Sequence, residues 1–243
     1  MSETLFVSDI HLDTSRASII DLFNAFLTRR ATQADALYIL GDLFEYWVGD
    51  DAHNDEYAST LNALKQLTDQ KVPVYFLHGN RDFLIAERFA RLTGVSLLQE
   101  ETVITPYQQR ILLMHGDTLC TDDVAYQNFR KKTHNRFLQK VVLSLPIFAR
   151  QVIAGRLRAT SRQAIGQKPP EIMDVNQSAV DAAVQRNNAA TLIHGHTHRS
   201  AIHNFTIGSS DYTRVVLGDW YFHGNVFCLS EQGMRPEDFT AVR

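Results

Sequence analysis

The stretch Leu5-Phe6-Val7-Ser8-Asp9-Ile10-His11 decides how the chain reads. An apolar, β-type run ends in an acid and an imidazole two residues apart. Residues i and i+2 of an extended segment point to the same side, so Asp9 and His11 can face one point in space. A carboxylate and a neutral imidazole converging at a strand's carboxyl end make half a metal site. By itself such a D-x-H is better read as a strand followed by an ordinary polar loop. The rest of the chain decides between the two.

Working outward, four more apolar runs end in the same way. Residues 36–40 (ALYIL) run into Gly41-Asp42-Leu43-Phe44-Glu45, where glycine permits tight backbone geometry beside a carboxylate. Residues 72–77 run into His78-Gly79-Asn80-Arg81-Asp82, residues 111–114 into His115-Gly116-Asp117, and residues 191–193 into His194-Gly195-His196-Thr197-His198. Between them lie helical stripes over residues 18–30 and 57–69, a helix over 83–93 closed by Gly94, and a further helix over 171–187. Short strands are expected at 95–98 and 102–107, and the last strands at 215–219 and 226–229, with no element assigned to 231–243. Residues 47–54, with Asp50, Asp51 and His53, read as a solvated loop. Strands alternating with helices imply a largely parallel α/β core whose functional loops gather at the strands' carboxyl ends.

Residues 121–170 break the pattern. Ten lysines and arginines stand there against Asp122 and Asp123, in a chain whose net charge is −3. Interleaved with them are Phe137-Leu138, Val141-Val142-Leu143, Leu145-Pro146-Ile147-Phe148 and Val152-Ile153. Pro146 interrupts the helical spacing. The segment reads as a helical insertion capping the site, suited to an anionic amphiphile or a membrane surface; a basic helix pair packed on the core is the alternative. Long aliphatics rather than aromatic platforms accompany the charges, which speaks against nucleic acid as a partner.

Composition narrows the class further. A chain of 243 residues, 44% hydrophobic, can bury a full core as one domain or a domain with an insertion. Cys120 and Cys228 offer no disulfide framework and no thiolate metal spacing. The chain enters its first strand without a basic, apolar leader, and no apolar run approaches the ~18 residues that span a bilayer. A soluble cytoplasmic protein is expected.

Asp9, His11, Asp42, Asn80, His115, His196 and His198 all follow expected strands. Imidazole with carboxylate and carboxamide oxygen, and no thiolate, favours Mn²⁺ and allows Fe²⁺, Zn²⁺ or Co²⁺. Seven ligands exceed what one such ion takes, so two ions sharing one carboxylate are expected.

The motifs D-x-H, G-D-L-F-E, G-N-R-D, M-H-G-D and G-H-T-H resemble those of the calcineurin-like binuclear metallophosphoesterases over nearly the whole chain. The resemblance implies two sheets packed face to face with helices outside, as a single domain over 1–243 with the cap at about 121–170. It also implies that Asp9, His11 and His198 hold one metal, that Asn80, His115 and His196 hold the other, and that Asp42 bridges them. Such an ion pair supplies a nucleophile at neutral pH and clamps an in-line displacement at phosphorus. His194, next to the ligand pair, is expected to support its loop.

Many members of that family carry histidine after the motif asparagine, as an acid for the leaving alkoxide, whereas this chain carries Arg81. Arginine cannot give up a proton at neutral pH, but it can hold phosphate oxygens bidentately. A leaving group that is already a phosphate needs little protonation, so Arg81 points to a pyrophosphate bond. The longer matches, including F-V-S-D-I-H-L, M-H-G-D-T-L-C-T-D-D and E-I-M-D-V-N-Q, resemble the branch of the family that works in lipid A biosynthesis. That branch implies attack of water on the α-phosphate of a UDP-diacylglucosamine lipid, giving UMP and a diacylglucosamine 1-phosphate. The enzyme would be peripheral on the cytoplasmic side of the inner membrane. Substrate contacts then fall on Asn80, Arg81, Asp123, Ser161, Lys168 and His196, and on Ile165, where the branch has asparagine. A phosphodiesterase for a soluble nucleotide and a non-catalytic scaffold are the competing readings. The apolar cap argues against the first, and seven ligand-competent positions against the second. A monomer is the default.

Overall fold

The computed structural model describes residues 2–52, 55–165 and 172–240, with side chains described up to Ser161 in the helix that ends at Ile165. His53 and Lys168 lie outside the described residues.

Two mixed sheets stack face to face. The first contains β1 (Thr4–Val7), β2 (Ala36–Ile39), β3 (Val74–Phe76), β4 (Ser96–Leu97), β10 (Gly224–Ser230) and β11 (Gly233–Phe239), in the order β11-β10-β1-β2-β3-β4. The second contains β5 (Thr102–Ile104), β6 (Ile111–Leu113), β7 (Thr191–His194), β8 (Ala201–Ile207) and β9 (Ser210–Val216), in the order β5-β6-β7-β9-β8. Strands β1 to β4 run parallel, as do β6, β7 and β9; the remaining pairs are antiparallel.

Successive side chains of a strand face opposite ways, and that alternation builds three apolar layers. Phe6, Leu40, Leu77, Ile111, Leu113, Ile193, Val215 and Phe227 meet between the sheets. Leu5, Val7, Leu37, Ile39 and Val74 turn outward, against Phe23 and other residues of α1 (Ala17–Ala25), Leu61 and Leu64 of α2 (Ala58–Asp69) and Phe89 of α3 (Glu87–Thr93). On the far side Leu112, Met114 and Leu192 pack against Val180, Ala183 and Val184. These three belong to α7 (Gln177–Arg186). The expected sandwich flanked by helices is what forms.

Several boundaries differ from the sequence reading, each for a local reason. Helix α3 starts at Glu87 rather than Phe83, because Asp50 accepts hydrogen bonds from the backbone N–H groups of Ala86 and Phe89 and supplies the start of the helix from another loop. Helix α7 starts at Gln177 rather than 171, where Asn176 accepts from Ser178 and Ala179. Strands β8 and β11 were not expected. In the first (AIHNFTI) His203-Asn204 breaks the alternation and the second (GMRPEDF) is largely polar; each is a sheet edge, where a solvated face and Pro236 are tolerated.

Residues 121–165 contain α4 (Val124–Thr133), α5 (Arg136–Leu143) and α6 (Ile147–Ile165), with Pro146 separating the last two. Asp51, expected in a solvated loop, ties this segment down. Arg150 of α6 donates to the backbone oxygen of Val48 and bidentately to Asp51, at 2.8, 2.8 and 2.5 Å.

At the edge of the first sheet, Arg30 donates to Glu237 and Glu3, and Arg235 bridges the same two acids. The hydrogen bond from Arg30 holds the Glu237 carboxyl down to about 2. Its stabilising contribution is therefore complete above the ordinary carboxylate range and is lost as pH falls towards 2. Glu237→Gln is expected to lower stability at pH 7 by roughly 1–2 kcal/mol, allowing for solvent screening. Denaturant titrations should show the gap from wild type closing below pH ~4.5; a gap of constant size down to pH 2 would contradict the pairing.

Candidate metal centre

The parallel strands deliver their carboxyl ends to one place, and the loops after β1, β2, β3, β6 and β7 are stitched together there. The backbone N–H of Asp9 donates to Gly41 O and that of His11 to Asp42 O, while Gly195 N donates to His115 O. The wholly buried Asp82 carboxylate accepts from the N–H groups of Asp42, Leu43 and Gly79, binding the β2 and β3 loops to each other. Burial and the neighbouring Asp42 charge push Asp82 up to about 7.

This stitching brings all seven expected residues together. Asp9 Oδ1 lies 3.8 Å from His11 Nε2 and 3.3 Å from His198 Nε2, and the two imidazole nitrogens are 3.3 Å apart. Asn80 Oδ1 lies 3.0 Å from His115 Nε2 and 2.9 Å from His196 Nδ1. Between these triads stands Asp42, with Oδ2 3.7 Å from His11 Nε2 and Oδ1 3.8 Å from His115 Nε2. Atoms that share an ion at about 2.1 Å stand roughly 3 Å apart, so these separations suit two triads of donors with a carboxylate between them. Asp9, His11 and His198 form one group competent to hold a cation, and Asp9, Asp42 and His115 another.

The electrostatics ask for positive charge. Asp9 Oδ1 is buried without a hydrogen bond. Burial opposes a charged imidazole, yet Asp42 and Asp9 push His115 up to about 9, and Asp219 and Asp9 push His198 up to about 10. The donor set therefore fits divalent cations.

The backbone is bent to hold this arrangement. Among the described residues, five of the nine non-glycine positions in the left-handed region are Asp9, His11, Asp42, His196 and His198. Such conformations cost about 1–3 kcal/mol each and persist where the surroundings impose them. Gly79 and Gly195 permit the closest approaches, since a Cβ would strike Asp42 Oδ1 at the first and Ser8 Oγ and Asp9 Oδ2 at the second. Gly79→Ala is expected to lower the metal content of purified protein together with its activity; full metal content would contradict the packing.

A second ring of groups escaped the sequence reading, although the quoted motifs contained several of them. Glu45 Oε2 stands 3.1 Å from His11 Nδ1, Asp219 Oδ2 stands 3.3 Å from His198 Nδ1, and Leu40 O pairs with His115 Nδ1 at 2.8 Å. Each orients an imidazole so that its other nitrogen faces the centre. His194 is buried, pushed down to about 3 by desolvation, and pairs with Gly195 O, in keeping with a supporting role.

The expected substrate residues separate. Arg81 borders the centre, its backbone N–H donating to Asp42 Oδ1 at 2.8 Å and its guanidinium 4.0 Å from Glu45 Oε1. Asp123 caps α4, accepting from the backbone N–H of Tyr126, whose ring lies 5.8 Å from that of His196. Ser161 lies in α6, one turn after Arg158, which donates to Glu45 and Asp13 at 3.1 and 3.4 Å. Lys168 and the side chain of Ile165 lie outside the described residues.

A helix-flanked sandwich with clustered imidazoles and carboxylates at its strand ends defines a metal-dependent phosphoesterase. The calcineurin-like phosphoesterase sequence profile matches residues 3–200, and the chain belongs to that family. The UDP-2,3-diacylglucosamine hydrolase of Escherichia coli O7:K1 is 51% identical over 223 residues, covering 92% of this chain and 93% of that protein. The hydrolase of the same name from Salmonella arizonae is 50% identical over the same shares. The solved structure of vacuolar protein sorting 29 from Cryptosporidium parvum is 14% identical with a TM-score of 0.50, covers 100% of this chain and 93% of its own, and shares the fold.

Proposed function

We propose that this chain hydrolyses the pyrophosphate bond of UDP-2,3-diacylglucosamine by water attack at the α-phosphate, giving UMP and 2,3-diacylglucosamine 1-phosphate in lipid A biosynthesis. The observation that carries the reading is the similarity of 51% over 92% of the chain to hydrolases named for this substrate. The convergence of seven donors and the helical cap support it.

In this reading Asp9, His11 and His198 hold one Mn²⁺, Asn80, His115 and His196 the other, and Asp42 bridges the pair. Two ions held by these residues would supply Lewis-acid chemistry, making hydroxide available at neutral pH and neutralising charge at phosphorus. Arg81 holds phosphate oxygens and steadies the charge that develops on the leaving phosphate. Asn80 and His196 face the same phosphate, Asp123 and Ser161 line the approach from the cap, and the family resemblance assigns substrate contacts to Ile165 and Lys168 as well. Asp123 acts there through the capping of α4 as well.

The chain is read as a single domain over 1–243, with α4 to α6 as an insertion. That insertion presents an uncovered apolar surface: Phe137 is 73% exposed and Phe148 70%, with Leu138, Val141, Val152 and Leu157 also exposed. Arg136 and Lys140 share α5 with Phe137, Leu138 and Val141. Apolar surface rimmed by basic charge suits acyl chains below a phosphorylated headgroup. No described helix is long and apolar enough to cross a membrane, and the working place is read as peripheral, on the cytoplasmic face of the inner membrane. A monomer is the working form, and nucleic acid is no partner.

Chelated protein is expected to lose turnover of UDP-2,3-diacylglucosamine and to regain it on titration with Mn²⁺, with a break at two equivalents per chain. A break at one equivalent would overturn the bridging assignment. Phe137→Ser and Leu138→Ser should raise KM for the diacylated substrate by roughly tenfold each. The same rise with a short-chain analogue would remove the acyl role of α5.

A further inference from the structure

The loop between β9 and β10 sets two aromatic rings at the rim of the metal centre, beside His11 and His198. Trp220 anchors it. Its indole is fully buried, edge-on to Phe23 and Phe26 with centroids 5.4 Å away in both cases, and Nε1 donates to Asn225 O at 3.0 Å. Its backbone N–H donates to Asp9 O at 3.3 Å, so the loop is tied directly to the strand that carries Asp9 and His11. Asp219 strengthens the tie, accepting from Tyr221 N at 3.1 Å while its other oxygen faces His198 Nδ1.

Beyond this anchor the chain turns outward. The Tyr221 ring lies nearly parallel to His11, at 8° with centroids 6.3 Å apart, and 6.0 Å from His198. The Arg16 guanidinium sits 4.5 Å over the Tyr221 ring and is steadied by donation to Trp220 O at 3.3 Å. Phe222, the next residue, is 94% exposed. A rigidly held loop thus presents a half-exposed tyrosine, a cation over its ring and a fully displayed phenylalanine, beside Asp9, His11 and His198.

On the reading given above, the reacting phosphorus has a lipid on one side and a nucleoside on the other. Tyr126 of α4 flanks the triad of Asn80, His115 and His196, while Arg158 of α6 reaches Glu45 beside His11. The Tyr221 loop flanks the opposite triad. Only a ribose separates the base of UMP from its phosphate, so the base must come to rest close to the centre. Bases stack on aromatic rings and on guanidinium groups.

We propose that Tyr221 and Phe222, with Arg16 behind Tyr221, form the stacking platform for the nucleobase of the UMP half of the substrate. The platform determines specificity for a nucleotide over a simple phosphate at the end that water attacks. This inference rests on the proposed reaction, and the test separates the two.

Mn²⁺-loaded wild type, Tyr221→Ala, Phe222→Ala and Phe222→Trp would be compared in three measurements: KM for UDP-2,3-diacylglucosamine, calorimetric binding of UMP, and inhibition by 2,3-diacylglucosamine 1-phosphate. Each alanine variant should weaken UMP binding by roughly tenfold and raise KM, with lipid-product inhibition unchanged. Phe222→Trp should restore UMP binding. Unchanged UMP binding in both alanine variants overturns the platform, as does equal weakening of both products. Loss of sedimentation with anionic phospholipid vesicles in Phe222→Ala, with UMP binding intact, also overturns it and makes the loop a membrane contact. If wild type binds UMP but does not turn over the lipid, the reaction fails while the UMP titration still decides the platform.

Discussion

Asp42→Ala should reduce turnover by at least about 10³-fold, a loss beyond that of a single donor to developing charge. The reason lies in its position: one carboxylate oxygen faces His11 Nε2 and the other faces His115 Nε2, so its two oxygens are divided between the triads. Alanine removes the bridge, and it also removes the acceptor for the Arg81 backbone N–H, which fixes the β3 loop against the β2 loop. The fold should survive. Asp42 is one of several buried acids crowded together, with Asp9 and Asp82 nearby, and its removal relieves repulsion while it loosens the centre. Circular dichroism should therefore match wild type while bound Mn²⁺ falls below two equivalents. Near-normal turnover by metal-loaded Asp42→Ala would break the assignment.

Arg81→Ala should act differently, keeping both metal ions and losing kcat by roughly 10²-fold. Its guanidinium approaches Glu45 at 4.0 Å, beside the centre but outside the two triads. A residue that holds the departing phosphate contributes more in the transition state than in the ground state, so kcat should fall more than KM rises. Arg81→Lys should recover part of the loss, because charge returns without the bidentate fork. A rise in KM with kcat unchanged would place Arg81 in ground-state binding alone.

The seven central residues were legible because each follows a short apolar run, a pattern that survives in one dimension. Their partners were not. Asp219 and Glu45 orient His198 and His11 from loops whose place depends on the assembled sheet. Asp50 looked like part of a solvated loop, yet it starts α3 from a distance of more than thirty residues. Edge strand β11 carries charges and a proline, and β8 is broken by His203-Asn204, so their hydrophobic period is weak and only pairing with β10 and β9 reveals them. The left-handed backbone at Asp9, His11, Asp42, His196 and His198 has no signature in residue type, since the surrounding hydrogen bonds impose it. The cap read correctly as basic and helical because helical spacing and charge are local properties. The anchoring of Arg150 on Asp51 is not local, and it appeared only with the fold.

The most direct measurement is hydrolysis of UDP-2,3-diacylglucosamine by the Mn²⁺-loaded chain in ¹⁸O-labelled water, with products read by mass spectrometry. The account predicts one labelled oxygen in UMP and none in 2,3-diacylglucosamine 1-phosphate. Label in the lipid phosphate, or turnover of soluble phosphodiesters without turnover of the lipid, would contradict it.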